Sequence, residues 1–85
     1  PQSAWIAQNA LAFAIHDKHP VNPGHTLIIP KRLVPTWFEA TREEQAAILD
    51  LIDEVKATLD ATHPKPDGYN IGFNAGPAAG QTVMH

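Results

Sequence analysis

The sequence predicts an α+β domain: an antiparallel sheet with one long helix, spanning about residues 41–62, on one face, and a last strand cut short. Three observations predict it. Large apolar residues recur at a spacing of two before residue 16, and an apolar β-branched run follows at 25–29, with a Pro/Gly loop between them. The apolar spacing then switches to the helical period from Thr41 onward. Finally, 85 residues with no internal repeat allow one small domain, expected to occupy 1–85 and to be incomplete at its C-terminal end.

In chain order, residues 1–9 carry Trp5 and Ile6 in a polar setting and either cap the core or form a short helix. Residues 10–15 place Leu11, Phe13 and Ile15 on one heavy strand face, with small alanines between them. His16-Asp17-Lys18-His19 runs into Pro20-Val21-Asn22-Pro23-Gly24, which is turn punctuation. His25-Thr26-Leu27-Ile28-Ile29 is a second strand ended by Pro30, and the short loop makes the pair an antiparallel hairpin.

Residues 31–40 form a connector with an aromatic corner at Pro35, Trp37 and Phe38. Thr41-Arg42-Glu43-Glu44 matches a capping box, in which hydroxyl and carboxylate satisfy orphan N–H groups at a helix start. Ile48, Leu49, Leu51, Ile52, Val55 and Leu59 then form an apolar stripe, and the helix stops before Pro64. Its length, about 30 Å, suffices to cross a sheet. Tyr69 to Asn74 alternates and predicts a third strand; Gln81 to His85 opens a fourth.

Composition excludes several functions. With 44% hydrophobic and 18% charged residues the chain is not disordered. Apolar stretches are interrupted well before the ~20 residues that span a bilayer, so no membrane partner is expected. The net charge of -3 and the lack of a basic patch argue against a nucleic-acid partner. Without Cys there is no disulfide, thiol nucleophile or cysteine metal site, and a cytoplasmic location is expected. Pro1 in place of Met implies a processed or trimmed chain.

The loop from Asn74 to Thr82 mixes glycines with Asn, Gln and Thr, so its backbone amides can face an anion; a ligand-free hairpin loop fits it about as well. Asp17 is either an acceptor for sugar hydroxyls or an Asx-turn residue. No His pair has metal-ligand spacing, and His19 and His63 are given no chemistry. Ser3 has no neighbouring base. Most of the seven acidic residues from Glu39 to Asp60 belong to a solvated helix face.

Two segments together resemble the histidine triad (HIT) family of nucleotide hydrolases and transferases: Asp17 to Arg32, with Asn22-Pro23-Gly24-His25 at its centre, and Asn74 to His85. The resemblance covers essentially the whole chain. The run Gly76-Pro77-Ala78-Ala79-Gly80-Gln81-Thr82-Val83, and Leu33 where many members carry His, are similar to the fragile-histidine-triad branch. The family pattern is His-φ-His-φ-His-φ-φ, with φ apolar; His85 matches its first histidine, and the other two would fall at positions 87 and 89, past the end of this sequence.

The resemblance implies a homodimeric hydrolase that cleaves dinucleoside polyphosphates at the α-phosphate through a nucleotidyl-histidine, a covalent route that splits one hard displacement into two easier ones. The nucleophile would be the second histidine, so the 85 residues alone are expected to be inactive. It further implies that Ile15 and His16 line the nucleoside pocket, with Leu27 and Ile29 under the base. Asp17 would bond the ribose, Asn74 reach the ribose–phosphate region, and Gly80, Gln81 and Thr82 contact the phosphates. His85 would orient the nucleophile, and His25 would buttress it. No cofactor or metal is implied beyond Mg²⁺ arriving with the polyphosphate. The alternatives are a non-catalytic nucleotide-binding module, a purine nucleoside phosphoramidase, and a small dimerisation domain with no nucleotide at all.

Overall fold

A computed structural model describes residues 5–16, 25–62, 66–73 and 75. Among these residues three strands, β1 (Ala7–Gln8), β2 (Ala12–His16) and β3 (Thr26–Pro30), form an antiparallel sheet in the order β1-β2-β3. One helix, α1 (Arg42–Asp60), packs on it, so the predicted α+β class and hairpin are as expected. The expected strand at 81–85, and with it the incomplete C-terminal end, lies outside the described residues.

The N-terminal segment departs from expectation, because Ala7–Gln8 is a strand and not a helix. Asn9 causes this. Its Oδ1 accepts hydrogen bonds from the Leu11 and Ala12 amides at 3.1 and 3.0 Å, and its own amide donates to the Ala12 carbonyl. The side chain thereby closes a tight turn that folds β1 back on β2. Its Nδ2 also donates to the Ala47 carbonyl at 2.8 Å, tying the turn to the helix.

Cross-strand pairs share a face, so the register sorts the sheet. Ala14 pairs with Ala7 and Ile28, and Ala12 with Pro30; Phe13 pairs with Gln8 and Ile29, and Ile15 with Leu27. The helix lies on the alanine side, where Ala12 and Ala14 have no exposed surface. Leu51, fully buried, Val55 and Val34 complete this core. Small residues let the helix approach closely, and the heavy face of Phe13, Ile15 and Leu27 points away from it.

Helix α1 starts as its capping box predicts: Thr41 Oγ1 accepts from the Glu44 amide at 3.0 Å, and Glu44 Oε1 accepts from the Thr41 amide at 2.8 Å. Glu44 is buried, an exception to the solvated acidic face. Arg32 makes that burial tolerable by donating from Nε and Nη2 to the two carboxylate oxygens at 2.9 and 2.8 Å. Leu49, expected in the apolar stripe, is exposed. The aromatic corner is a 3-10 turn at Trp37–Glu39, whose Trp37 carbonyl accepts from Gln45 Nε2.

The expected strand at 69–74 is not formed over residues 69–73. Alternation suits a strand only where a neighbour supplies ladder bonds; among the described residues no strand pairs with this segment, and side-chain contacts hold it. Tyr69 donates its hydroxyl to Asp60, and Phe73 stacks on Trp37 and meets Phe38 edge-on, with centroids at 5.2 and 5.6 Å.

Candidate functional site

Three of the residues nominated for nucleoside contact, Ile15, Leu27 and Ile29, lie on the sheet face opposite the helix. Ile15 and Leu27 are directly paired near one end of β2 and β3, and Phe13 and Ile29 form the next row. Leu27 keeps 38% of its surface exposed, so this apolar floor is open to a ligand. His25, exposed, precedes β3 at the same end. Strand alternation separates two residues that the resemblance groups together: Ile15 faces the open side, whereas His16 shares the helix side with Thr26. There His16 lines a crevice of about 190 Å³ with Ile6, Ala7, Thr26, Val55, Thr58 and Leu59. A ligand touching both must reach around the strand end. Asp17, Asn74, Gly80, Gln81, Thr82 and His85 lie outside the described residues.

One neighbour of the floor, Trp5, is expected from the sequence only to cap the core or lie in a short helix. The Trp5 indole stacks on Phe13, with ring centroids 4.2 Å apart and planes 13° from parallel. Lys31 Nζ sits 5.4 Å from the Trp5 ring and donates to Gln8 Oε1 at 3.0 Å. The signal for this contact was the turn-forming Asn9, since folding β1 onto β2 brings Trp5 beside Phe13. Farther along the same face, Phe13, Ile29 and residues 30–34 line a hollow of about 330 Å³.

The strongest electrostatic perturbations lie away from this floor. Arg32 and the Thr41 amide hold the Glu44 carboxyl down to about 2, and the same pairing raises Arg32. The hydrogen bond to Asp60 pushes the Tyr69 phenol up to about 12. Lys56 closes that cluster, 2.7 Å from Asp60 and 5.4 Å from the Tyr69 ring. Among the described residues no three His, Asp or Glu side chains gather as a metal site, and no helix is long and apolar enough to cross a membrane.

Comparison with known proteins decides the family, because the HIT domain pattern matches residues 2–85. The chain belongs to the HIT family. A HIT-like protein from Synechococcus elongatus is 40% identical over 80 residues, covering 94% of this chain and 69% of that protein. A bis(5'-adenosyl)-triphosphatase from Dictyostelium discoideum is 34% identical over 84 residues, covering 99% of this chain and 56% of that protein. Among solved structures, a HIT family protein from Bacillus anthracis superposes with a TM-score of 0.88 at 32% identity, covering 96% of this chain and 57% of that one. The HIT chain described here thus spans between about half and two-thirds of these relatives' lengths.

Proposed function

We propose that the intact protein is a HIT-family nucleotidyl hydrolase that cleaves dinucleoside polyphosphates at the α-phosphate. The nucleoside lies on the floor of Ile15, Leu27 and Ile29, and Asp17 accepts from its ribose hydroxyls. His16 contacts it from the strand end, and Asn74, Gly80, Gln81 and Thr82 hold the phosphates. His85 orients the nucleophile, which is the histidine that the family pattern puts two positions later, and His25 buttresses that network. A neutral imidazole suits the task because it is nucleophilic near pH 7 and leaves readily from its phosphoramidate.

The observation that carries this reading is the HIT match over residues 2–85, which includes every residue assigned here apart from the nucleophile. The similarity to a bis(5'-adenosyl)-triphosphatase favours a dinucleoside substrate. The protein acts as a homodimer in the cytoplasm, with any Mg²⁺ brought by the polyphosphate.

The test is AMP release by the full-length protein from diadenosine triphosphate, diadenosine tetraphosphate and adenosine 5'-phosphoramidate. Turnover of the dinucleotides, slowed in Gln81→Ala through weaker phosphate contact, is expected. Turnover of the phosphoramidate alone assigns the protein to the phosphoramidase alternative. AMP binding without turnover of any of the three makes it a binding module.

A further inference from the structure

We propose that Trp5 sets the base preference of this site, favouring a purine over a pyrimidine. The inference rests on the placement of the nucleoside proposed above and goes on to name the residue that selects its base. Three contacts carry it. The indole lies against Phe13, and Phe13 is the next residue after Ile15 on the open side of β2, about 7 Å along the strand. The apolar floor of Ile15 and Leu27 is therefore continued by an aromatic flank. Phe13 stacks on the indole, Lys31 Nζ lies over its ring at 5.4 Å from the centroid, and Lys31 is itself anchored by Gln8.

The physical consequence is selective. A single ring placed over Ile15 and Leu27 covers the aliphatic floor and stops there. A purine carries a second fused ring, which extends toward the indole and gains aromatic contact. Because Trp5 is already stacked and half-buried, little side-chain freedom remains to be lost when the base arrives. The cation above the indole also keeps the ring in place in the empty site.

Calorimetric titration of the full-length protein with AMP and CMP tests this. Trp5→Ala is expected to weaken AMP about tenfold and CMP by no more than about twofold, while Trp5→Phe keeps AMP within about threefold of the parent. Equal losses for the two nucleotides, or none, overturn the proposal. A second measurement does not depend on the folding of Trp5→Ala: in Trp37→Phe, Trp5 is the one indole left among these 85 residues. Its emission should change at saturating AMP and change less at saturating CMP; an unaltered spectrum at saturation overturns the proposal. If the parent protein binds neither nucleotide, the placement of the nucleoside fails too. If AMP binds and only the selectivity ignores Trp5, the base-preference inference alone falls.

Discussion

Enlarging Ala14 tests the close approach of helix to sheet. Ala14 has no exposed surface and stands between its neighbours on β1 and β3, beneath the helix that buries Leu51 and Val55. Ala14→Leu adds three carbons at a position with no exposed surface. The helix must lift or the leucine must leave its rotamer wells, which costs about 1–3 kcal/mol in well-packed cores. Full burial puts the expectation near the top of that range. The control enlarges a side chain on the opposite face: Leu27→Phe adds a ring where 38% of the surface is already exposed, and should stay within about 0.5 kcal/mol of the parent. Urea unfolding followed by circular dichroism supplies both values. At about 4 °C per kcal/mol, Ala14→Leu should also melt roughly 10 °C lower. If Ala14→Leu unfolds like the parent, or Leu27→Phe costs as much, the helix does not lie on the alanine side.

Two further predictions concern titrating groups. The folded Glu44 carboxyl sits near 2 against an ordinary 4.5, so it contributes stability above the unfolded value that is lost as pH falls toward 2. Glu44→Gln should therefore be clearly less stable than the parent at pH 6, and the gap in urea midpoint should narrow steadily as pH falls from 4.5 toward 2; a gap that does not vary with pH refutes the pairing. Tyr69, the one tyrosine of the 85 residues, should titrate near 12 by its absorbance at 295 nm. Its contribution is fully present below the ordinary phenol value near 10 and is lost as pH rises through the folded value. In Asp60→Asn the titration should fall back toward 10, and an unmoved curve would remove the Asp60 bond as the cause.

The helix was legible because its signals are local: the Thr41–Glu44 box and the apolar stripe need no knowledge of the rest of the chain. Alternation in residues 10–15 gave the strand, and Pro30 closed the next one. Which face the helix covers was not legible, since the heavy residues and the alanines alternate equally well and only packing chooses between them. The strand at β1 was hidden because two residues carry no periodicity; its evidence lay in Asn9. At Tyr69 to Phe73 the alternation is present, but no strand among the described residues pairs with it, and aromatic contacts and a phenol bond hold the segment. For the site, the resemblance named Ile15 and His16 together, and only the register assigned them to opposite faces. Trp5 escaped because its partner, Phe13, is adjacent in space through a turn that composition does not announce.

The Glu44 carboxylate belongs at once to a helix and to a strand end, since Oε1 takes both the Thr41 amide and Arg32 Nη2 while Oε2 takes Arg32 Nε. Positions 32 and 44 are therefore not free to vary independently. A lysine at 32 offers a point charge where a fork is needed, an aspartate at 44 is one carbon too short to reach back to Thr41, and a glutamine at 44 turns one acceptor into a donor aimed at a guanidinium. Each single change leaves its partner stranded, whereas a joint change to two apolar residues removes the charge pairing and leaves only the Thr41 amide without its acceptor. Through this pair, the exit of β3 and the first turn of α1 share one sequence constraint, although the two residues stand twelve positions apart.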